Sequence, residues 1–466
     1  MQIQFLGAAR TVTGSKHLLT TIEGKKVLLD CGFFQGKGSE TEGLNRHFGF
    51  DPASIDYLIL SHAHIDHSGN IPNLVKQGFR GQIICTTATT DLCRIMLSDS
   101  AHIQENDVKF INKRRMKRGE EPLKPIYNIK DVEKCLPLFV SVPYETDYPV
   151  FEGFSVRFTD SGHILGSAAV NIQYTENGQK RTLCFTGDIG RYNGSILRDP
   201  QPFPQAETII CESTYGDRLH TNNDMSEQQL FEVVYNTCVV KKGKLIIPAF
   251  SLGRTQEIVF ALDKMEHKKM LPHINVYVDS PLSINATNIM RAHPECFNED
   301  ILAYMKKDPN PFGFGNLIYI QDAKDSKMLN ELPEPCIIIS ASGMVEAGRV
   351  KHHVANNISH SKNTILMVGY AEPNSIGGKI RSGAKTIKVF GEIHEVKADV
   401  VIIDSYSAHG DYKEMIQYLS CQDKKQVKHL FLVHGEYDTQ LNFKEKLIDE
   451  GYRHIQIPAQ GDIVEI

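Results

Sequence analysis

The segment LILSHAHIDHSG, residues 58–69, places three histidines and one aspartate directly after an apolar, strand-like run. These side chains, His62, His64, Asp66 and His67, fall within six consecutive positions. Because side chains alternate at a strand end, His62 and His64 can converge on one point while Asp66 and His67 face another. A single histidine is usually structural, but this density of imidazole and carboxylate groups is typical of metal ligands. The segment predicts two adjacent metal ions.

Ligand-type residues also follow other apolar runs, each beside a glycine. They are His163 in TDSGHILGSA, Asp188 in CFTGDIGR and His434 in FLVHGEY. Each residue alone is typical of an ordinary turn. Zinc usually takes about three or four protein ligands, and two-metal hydrolases hold their ions roughly 3.5 to 4 Å apart. Together with residues 62–67, these side chains complete two ligand sets.

Length and composition restrict the class of protein. A chain of 466 residues exceeds one hydrophobic core and predicts two domains, or one interrupted by another. With 51 Lys and Arg against 56 Asp and Glu, the net charge is -5, so a polyanion would need a local basic patch. Ten scattered cysteines without a CxxC pair fit a reducing cytoplasm. The start of the chain lacks a secretory signal pattern, and no apolar run approaches the roughly 20 residues of a membrane helix. We therefore expect a cytoplasmic protein without membrane contact.

The pattern of apolar residues changes along the chain. The first part reads as strands and turns, whereas after Thr214 helical segments alternate with the buried-strand candidates KLIIPAF, INVYVDS, PCIIISAS and TILMVGY. That alternation is typical of a parallel α/β sheet. Strands followed by histidine-containing loops return in ADVVIIDSYSAHG and HLFLVHGEY. We therefore predict a first domain over residues 1–213, an inserted domain over 214–385, and completion of the first domain by 386–466.

Several motifs carry a resemblance to a known family. LLDCG at Asp30, HAHIDH, the glycine-flanked His163 and TGD at Asp188 resemble the metallo-β-lactamase superfamily. CESTYGDR, AFSLGRTQE, VDSPLS, ISASGMVEAGR, YSAHGD and LVHGE resemble its β-CASP branch, whose members cut nucleic acids and include the RNA 3′-end-processing endonuclease, ribonuclease J and compact bacterial and archaeal ribonucleases. The resemblance covers nearly the whole chain. It implies an α/β fold: an αββα metallo-β-lactamase sandwich with an inserted parallel α/β (β-CASP) domain.

The resemblance also implies a cofactor of two zinc ions per chain. One ion is expected on His62, His64 and His163, and the other on Asp66, His67 and His434, with Asp188 as the bridge. Asp30 corresponds to a carboxylate that orients ligand imidazoles from outside the cluster. His and carboxylate ligands also accept manganese, so the identity of the metal rests on the resemblance.

The implied chemistry is hydrolysis of a phosphodiester. Two zinc ions lower the pKa of a shared water and give a hydroxide nucleophile for in-line attack. His409 in YSAHGD resembles the general acid, and Glu212 in CESTYG resembles the carboxylate that orients and charges it. The expected catalytic residues are Asp30, Asp66, Glu212 and His409. We expect a zinc-dependent endoribonuclease acting on single-stranded RNA.

Candidate substrate-binding residues lie in SASGMVEAGR and AFSLGR, which follow buried strands and precede helices. Backbone amides and hydroxyls there could cradle a phosphate, although the same residues serve strand-to-helix turns for geometry alone. The candidates are Ser251, Arg254, Ser340, Ser342, Gly343 and Arg349.

A basic segment, NKRRMKRG, contains Lys113, Arg114, Arg115, Lys117 and Arg118, and predicts either a polyanion contact or a solvated helix end. Because the chain has no tryptophan, base stacking would use Phe, Tyr or Arg.

Other functions fit parts of the same pattern. They are a 5′-3′ exoribonuclease or a DNA nuclease of the same family, a thioester or lactone hydrolase, and a non-catalytic RNA-binding scaffold. RNA rests on the resemblance, because a metal centre does not by itself distinguish a 2′-hydroxyl. The inserted domain and His409 argue against a small substrate, and the complete ligand positions argue against a scaffold. A homodimer and accessory RNA-processing partners are further expectations from the resemblance.

Overall fold

The computed structural model of the protein describes residues 1–36, 40–220, 226–369, 371, 373–403 and 408–466. The chain forms two compact units. Unit 1 comprises Met1–Tyr192, Asp199–Leu219 and His409–Ile466, and unit 2 comprises Asn193–Arg198 and His220–Ala408. Within the described residues, every helix is too short or too polar to span a membrane.

Short strands occur along the whole chain. They are β1 (Gln2–Gly7), β2 (Lys16–Thr20), β3 (Lys26–Leu29), β4 (Tyr57–Ile59), β5 (Gln82–Thr86), β6 (Phe139–Val142), β7 (Tyr148–Phe151), β8 (Phe154–Asp160), β9 (Ala168–Glu176), β10 (Gln179–Phe185), β11 (Thr208–Glu212), β12 (Leu245–Pro248), β13 (Asn275–Asp279), β14 (Leu317–Tyr319), β15 (Cys336–Ser340), β16 (Thr364–Val368), β17 (Thr386–Val389), β18 (Glu392–Glu395), β19 (Asp399–Ile403), β20 (His429–Val433), β21 (Ile455–Gln456) and β22 (Ile463–Glu465).

The helices vary from a single turn to more than eight turns. They are α1 (Glu40–Arg46), α2 (Ile65–Ser68), α3 (Ile71–Lys76), α4 (Thr87–Lys117), α5 (Ile129–Cys135), α6 (Ser226–Val234), α7 (Arg254–His267), α8 (Pro281–Ala292), α9 (Glu299–Met305), α10 (Ala323–Glu331), α11 (Val350–Asn357), α12 (Ile376–Arg381), α13 (Tyr412–Leu419) and α14 (Tyr437–Asp449).

Unit 1 is a sandwich of two seven-stranded sheets. Their strand orders are β22-β1-β2-β3-β4-β5-β6 and β21-β20-β11-β10-β9-β8-β7. Apolar side chains from both sheets, such as Phe5, Phe158 and Phe431, form one buried core. A second core joins the other face of the second sheet to α13 and α14 through Met415 and Leu447, and α4 packs on β5 and β6. The predicted αββα arrangement is confirmed.

Unit 2 contains a six-stranded parallel sheet in the order β14-β13-β15-β12-β16-β19, and an antiparallel hairpin of β17 and β18. The predicted strands KLIIPAF, INVYVDS, PCIIISAS and TILMVGY form β12, β13, β15 and β16. All five residues of β15 are buried, as expected for a parallel strand covered on both faces. The prediction of a parallel α/β domain is confirmed.

The domain boundaries differ from those predicted at 213/214 and 385/386. Strand β19 pairs with β16, from Asp399 opposite Thr364 to Ile403 opposite Val368, and therefore belongs to unit 2. Unit 2 ends at Ala408, and unit 1 continues to Leu219 before the insertion. The apolar run in β19 resembles the strands of either sheet, so its sequence did not reveal its partner. Segment 386–408 therefore lies in unit 2, whereas the sequence pattern placed it with the first domain.

Parallel strand pairing in unit 1 brings the ligand-type residues to sheet edges. Strands β3, β4 and β5 are parallel neighbours, as are β10, β11 and β20. Because parallel strands end at the same edge, the loops after them meet there. These loops carry Asp30, residues 62–67, Asp188 and His434, and Glu212 ends β11.

Gly32 allows the loop after β3 to lie directly against the loop after β4. The Cys31 amide donates to the His67 carbonyl at 2.7 Å, and the Ser15 amide donates to the Asp66 carbonyl at 2.8 Å. A Cβ atom on Gly32 would lie 1.6 Å from that Asp66 oxygen. A larger residue would therefore displace the backbone that carries Asp66 and His67.

We predict that Gly32→Ala lowers the free energy of unfolding by about 1–3 kcal/mol, because overpacking forces a backbone shift. Bound metal should fall at the same time. The matched control is Gly43→Ala in α1, where a Cβ atom meets nothing within 4 Å. In that control the free energy of unfolding should rise by about 0.5–1 kcal/mol, because alanine is the better helix former. Urea unfolding and metal content measure both effects, and a Gly32 variant as stable and metal-rich as the wild type would contradict this account.

Candidate metal centre

Three imidazoles of unit 1 turn nitrogen atoms toward one point. His62 and His64 follow β4, and His163 follows β8. Nδ1 of His64 lies 3.2 Å from Nε2 of His62 and 3.2 Å from Nε2 of His163. These three nitrogens and one oxygen of Asp188 all lie within 4.8 Å of one another. The group therefore offers four donor atoms to one ion.

A second group lies beside the first and contains Asp66, His67 and His434, whose ligand atoms also lie within 4.8 Å of one another. Nε2 of His67 is 3.1 Å from Nε2 of His434. The same His434 nitrogen is 3.5 Å from Oδ2 of Asp66. The structure thus brings Asp66 and His67 together with His434, although His434 lies far from them in the chain.

Asp188 lies between the two groups with one oxygen toward each. Its Oδ2 is 3.4 Å from Nε2 of His62, and its Oδ1 is 3.3 Å from Nε2 of His67. The side chain is buried, and neither oxygen accepts a hydrogen bond from the described residues. A buried carboxylate without hydrogen bonds costs several kcal/mol unless a cation compensates it. The donor set therefore fits bound divalent cations.

The charges of these residues suit metal binding. Burial lowers the pKa of His64 to about 3 and holds the pKa of His163 well below its ordinary value. Both imidazoles are therefore neutral near pH 7 and can present lone pairs. Burial would raise the pKa of Asp188, but His434 and His67 outweigh it and keep that pKa well below the usual range. His64 and His163 therefore offer neutral nitrogens and Asp188 offers a charged carboxylate, which are donor types that zinc accepts.

Asp30 holds one ligand imidazole from the side away from the cluster. Its carboxylate lies 2.7 Å from Nδ1 of His67 and accepts hydrogen bonds from the Ser61 amide at 2.8 Å and the Ser15 hydroxyl at 3.0 Å. Nε2 of His67 is therefore left facing the cluster. Asp30 and His434 both have left-handed backbones, with φ of 59° and 50°. Such conformations concentrate at functional sites.

His409, which is partly exposed, pairs with the buried Glu212 at the edge of the cluster. Nδ1 of His409 lies 3.2 Å from each oxygen of the Glu212 carboxylate. That carboxylate also accepts hydrogen bonds from the Ile189 amide at 2.5 Å and the Thr214 hydroxyl at 2.6 Å. Nδ1 of His409 is 3.9 Å from Oδ2 of Asp188. The pair therefore borders the metal-binding groups.

His409 is suited to carry a proton. Burial disfavours its charged form, but the negative charges of Glu212 and Asp188 outweigh burial and raise the pKa of His409 to about 9. Its ring centroid lies 4.5 Å from that of His163. Residues 404–407, which include the start of the YSAHGD motif, lie outside the described residues.

The two predicted substrate-binding arginines have carboxylate partners inside unit 2. Nη1 of Arg349 donates to Oδ1 of Asp279 at 2.6 Å, and Arg254 forms an ion pair with Glu257. Asp279 is fully buried and also accepts a hydrogen bond from Ser326. These contacts tie the arginines to their own unit. A substrate role for either arginine stays a prediction.

The other predicted substrate-binding residues differ in exposure. Ser251 and Ser342 are half-buried, whereas Ser340 and Gly343 are buried. The Ser340 hydroxyl donates to the main-chain carbonyl of Asp279 at 2.9 Å. Ser251 and Ser342 are therefore the more accessible members of the set.

Three hydroxyl side chains that contact the site carboxylates were not predicted from the sequence. Ser15 and Ser61 donate to Asp30, each at 3.0 Å, and Thr214 donates to Glu212. Ser61 immediately precedes His62, and Thr214 lies two residues after Glu212. These short distances from a predicted site residue at a strand end are the signal by which the sequence could have revealed the two side chains.

Comparison with known protein families agrees with this geometry. Three family profiles match successive parts of the chain. They are the metallo-beta-lactamase superfamily over residues 17–229, the Beta-Casp domain over 255–380, and the Zn-dependent metallo-hydrolase RNA specificity domain over 393–458.

Individual relatives match over most of the chain. Ribonuclease TTHA0252 of Thermus thermophilus is 33% identical over 466 residues, with 100% of both chains covered. Transcription termination factor FttA of Methanosarcina mazei is 30% identical over 447 residues, which cover 94% of this chain and 67% of that protein. RNase J-like protein of Methanocaldococcus jannaschii is 29% identical over 467 residues, with 100% and 99% covered. The chain belongs to the β-CASP branch of the metallo-β-lactamase superfamily and is a metal-dependent hydrolase.

We predict that Asp188→Ala loses most of its bound divalent metal, because both donor groups lose the carboxylate between them. Elemental analysis of the purified protein measures this loss. The control is Asp147→Ala, because the Asp147 side chain is 68% exposed and pairs with Arg157 on the surface. The control should keep the metal content of the wild type. A full metal complement in the Asp188 variant would show that Asp188 is not a metal ligand.

Proposed function

We propose that the protein is a zinc-dependent ribonuclease that hydrolyses internal phosphodiester bonds of RNA. One observation carries the proposal: a buried Asp188 carboxylate without hydrogen bonds from the described residues lies between two imidazole groups, beside the His409–Glu212 pair. RNA as substrate is supported by the RNA specificity domain and by relatives named as ribonucleases.

The donor atoms divide into two ligand sets in this proposal. His62, His64 and His163 would hold one zinc ion, Asp66, His67 and His434 would hold the second, and Asp188 would contact both. When bound, the two ions supply positive charge that lowers the pKa of water and offsets the charge on the phosphodiester oxygens. Asp30 would keep the His67 ring fixed through Nδ1, because a ligand imidazole needs its second nitrogen held.

His409 would deliver the proton that the leaving group needs. Glu212 accepts the Nδ1 proton of His409, which makes Nε2 the nitrogen that can give a proton to substrate. As the bond from phosphorus to the leaving ribose oxygen breaks, Nε2 transfers its proton to that oxygen. Nδ1 keeps its own proton, which stays hydrogen-bonded to Glu212. Hydrogen bonds from Thr214 and the Ile189 amide fix the Glu212 carboxylate in this orientation.

We predict that His409→Ala slows cleavage of single-stranded RNA by about 10²–10⁴-fold, the usual loss of a general acid. Its metal content should equal that of the wild type, because His409 belongs to neither ligand set. His47→Ala, at an exposed position, serves as the control and should cut normally. Cleavage rates and elemental analysis of the same preparations test this. A His409 variant with an undiminished rate would remove His409 from the reaction.

We predict that single-stranded RNA labelled at the 5′ or the 3′ end is cut internally, with the same break positions seen from both labels. Matched DNA should be cut more slowly. Release of 5′-terminal nucleotides alone would replace the endonuclease with a 5′-3′ exonuclease. Equal cleavage of DNA would remove the preference for RNA. RNA binding without any cleavage by the zinc-loaded wild type would identify a scaffold.

A further inference from the structure

Helix α4 begins beside the loop that carries His163. Its N-cap residue is Thr86, and the hydroxyls of Thr86 and Thr89 donate to the Gly166 carbonyl at 2.6 and 2.9 Å. Gly166 lies three residues after His163. The first turn of α4 is therefore fixed to the loop that carries a predicted ligand.

The second half of α4 leaves the core. All buried residues of this helix lie between Ala88 and Ala101, and none lies in residues 102–117. We call residues 102–118 the arm. The residues that follow α4 support the arm, because Asn112 and Leu123 exchange two hydrogen bonds of 2.9 and 2.8 Å. The helical part of the arm is therefore fixed by these contacts and does not fray, although it lies outside the core.

The surface of the arm combines positive charge with exposed apolar side chains. Residues 109–118 contain six Lys and Arg side chains and no Asp or Glu, in a chain with a net charge of -5. Phe110 is 59% exposed, and Met116 is 72% exposed. The guanidinium of Arg114 lies 4.7 Å from the Phe110 ring centroid. Basic residues at a helix C-terminus complement its dipole, but that effect does not account for an exposed aromatic ring.

The length of α4 fixes how far the arm lies from the cluster. Thr89 and Arg114 are both in the helix, and a rise of about 1.5 Å per residue separates them by roughly 38 Å. A stacked nucleic acid strand advances about 3.4 Å per nucleotide. A strand that runs from the centre to Arg114 would therefore cover on the order of ten nucleotides.

We propose that the arm binds the RNA backbone about ten nucleotides from the bond that is cut. This inference rests on the proposed ribonuclease function and deepens it. Residues 109–118 of the arm carry six cations, of which Arg115 pairs with Glu120 at 3.0 Å. This positive charge matches a polyanion, and the Phe110–Arg114 pair offers a face on which a base can stack. The arm thus selects RNAs long enough to reach it.

The test compares Lys113→Glu/Arg114→Glu/Lys117→Glu with the wild type on two RNAs that share one cleavage site. One RNA is about 8 nucleotides long and the other about 30, on either side of the expected ten-nucleotide reach. For the long RNA, KM should rise at least tenfold, and the slope of log affinity against log salt should fall by about 2. For the short RNA, kcat/KM should stay unchanged. The charge-matched control is Lys424→Glu/Lys425→Glu/Lys428→Glu, which should leave both RNAs unaffected.

A second variant, Phe110→Ala, keeps the charge and removes the stacking face. Its KM for the long RNA should rise about fivefold or more, because the base stack on this ring is lost. Unchanged cleavage of the long RNA by both arm variants would overturn the proposal, as would an equal loss on the short RNA or in the control triple. Loss of self-association with normal cleavage would assign the arm to a protein partner and overturn it too. If the wild type cuts neither RNA, the ribonuclease function itself fails.

Discussion

The negative charge of Asp188 is the constraint around which unit 1 is arranged. A carboxylate buried without hydrogen bonds from the described residues is tolerated only beside compensating positive charge. The imidazoles around it come from loops of both sheets, each at the carboxyl end of a strand. Strands place these short loops precisely, so the donor atoms converge with little freedom to move. A divalent cation held by these donor atoms would offset the cost of burying Asp188.

A second layer of contacts holds the donors in place. Asp30 fixes His67, Ser61 fixes Asp30, and Gly32 lets the two loops touch. On the other side of the cluster, Glu212 accepts from Thr214 and the Ile189 amide while it faces His409. Both carboxylates are therefore oriented before a substrate arrives. Side chains outside the ligand sets decide which nitrogen of an imidazole can take part in chemistry.

Much of this could be predicted from the sequence, because ligand-type residues after apolar strands are a dense and ordered signal. Residues 62–67, Asp188 and His434 were grouped from sequence, and the structure brings them together. The pairing of β19 with β16 was not foreseen, because β19 is an apolar strand that suits either sheet. Arg254 pairs with Glu257 three residues further along α7, a spacing that the sequence shows, but the partner of Arg349 could not be foreseen. Arg349 meets Asp279 only through the folding of unit 2, and no local pattern encodes that contact.

The position of β20 in the second sheet has a consequence for how the protein is made. This strand pairs with both β11 and β21, and His434 follows it directly. The ribosome completes β11 at Glu212 and reaches β20 only at His429, after all of unit 2 has been synthesised. Domains fold as units during synthesis, so unit 2 can fold before β20 is available to pair with β11. A nascent chain that has not reached His434 holds an incomplete set of metal donors, and hydrolytic capacity arises only after that residue has been added.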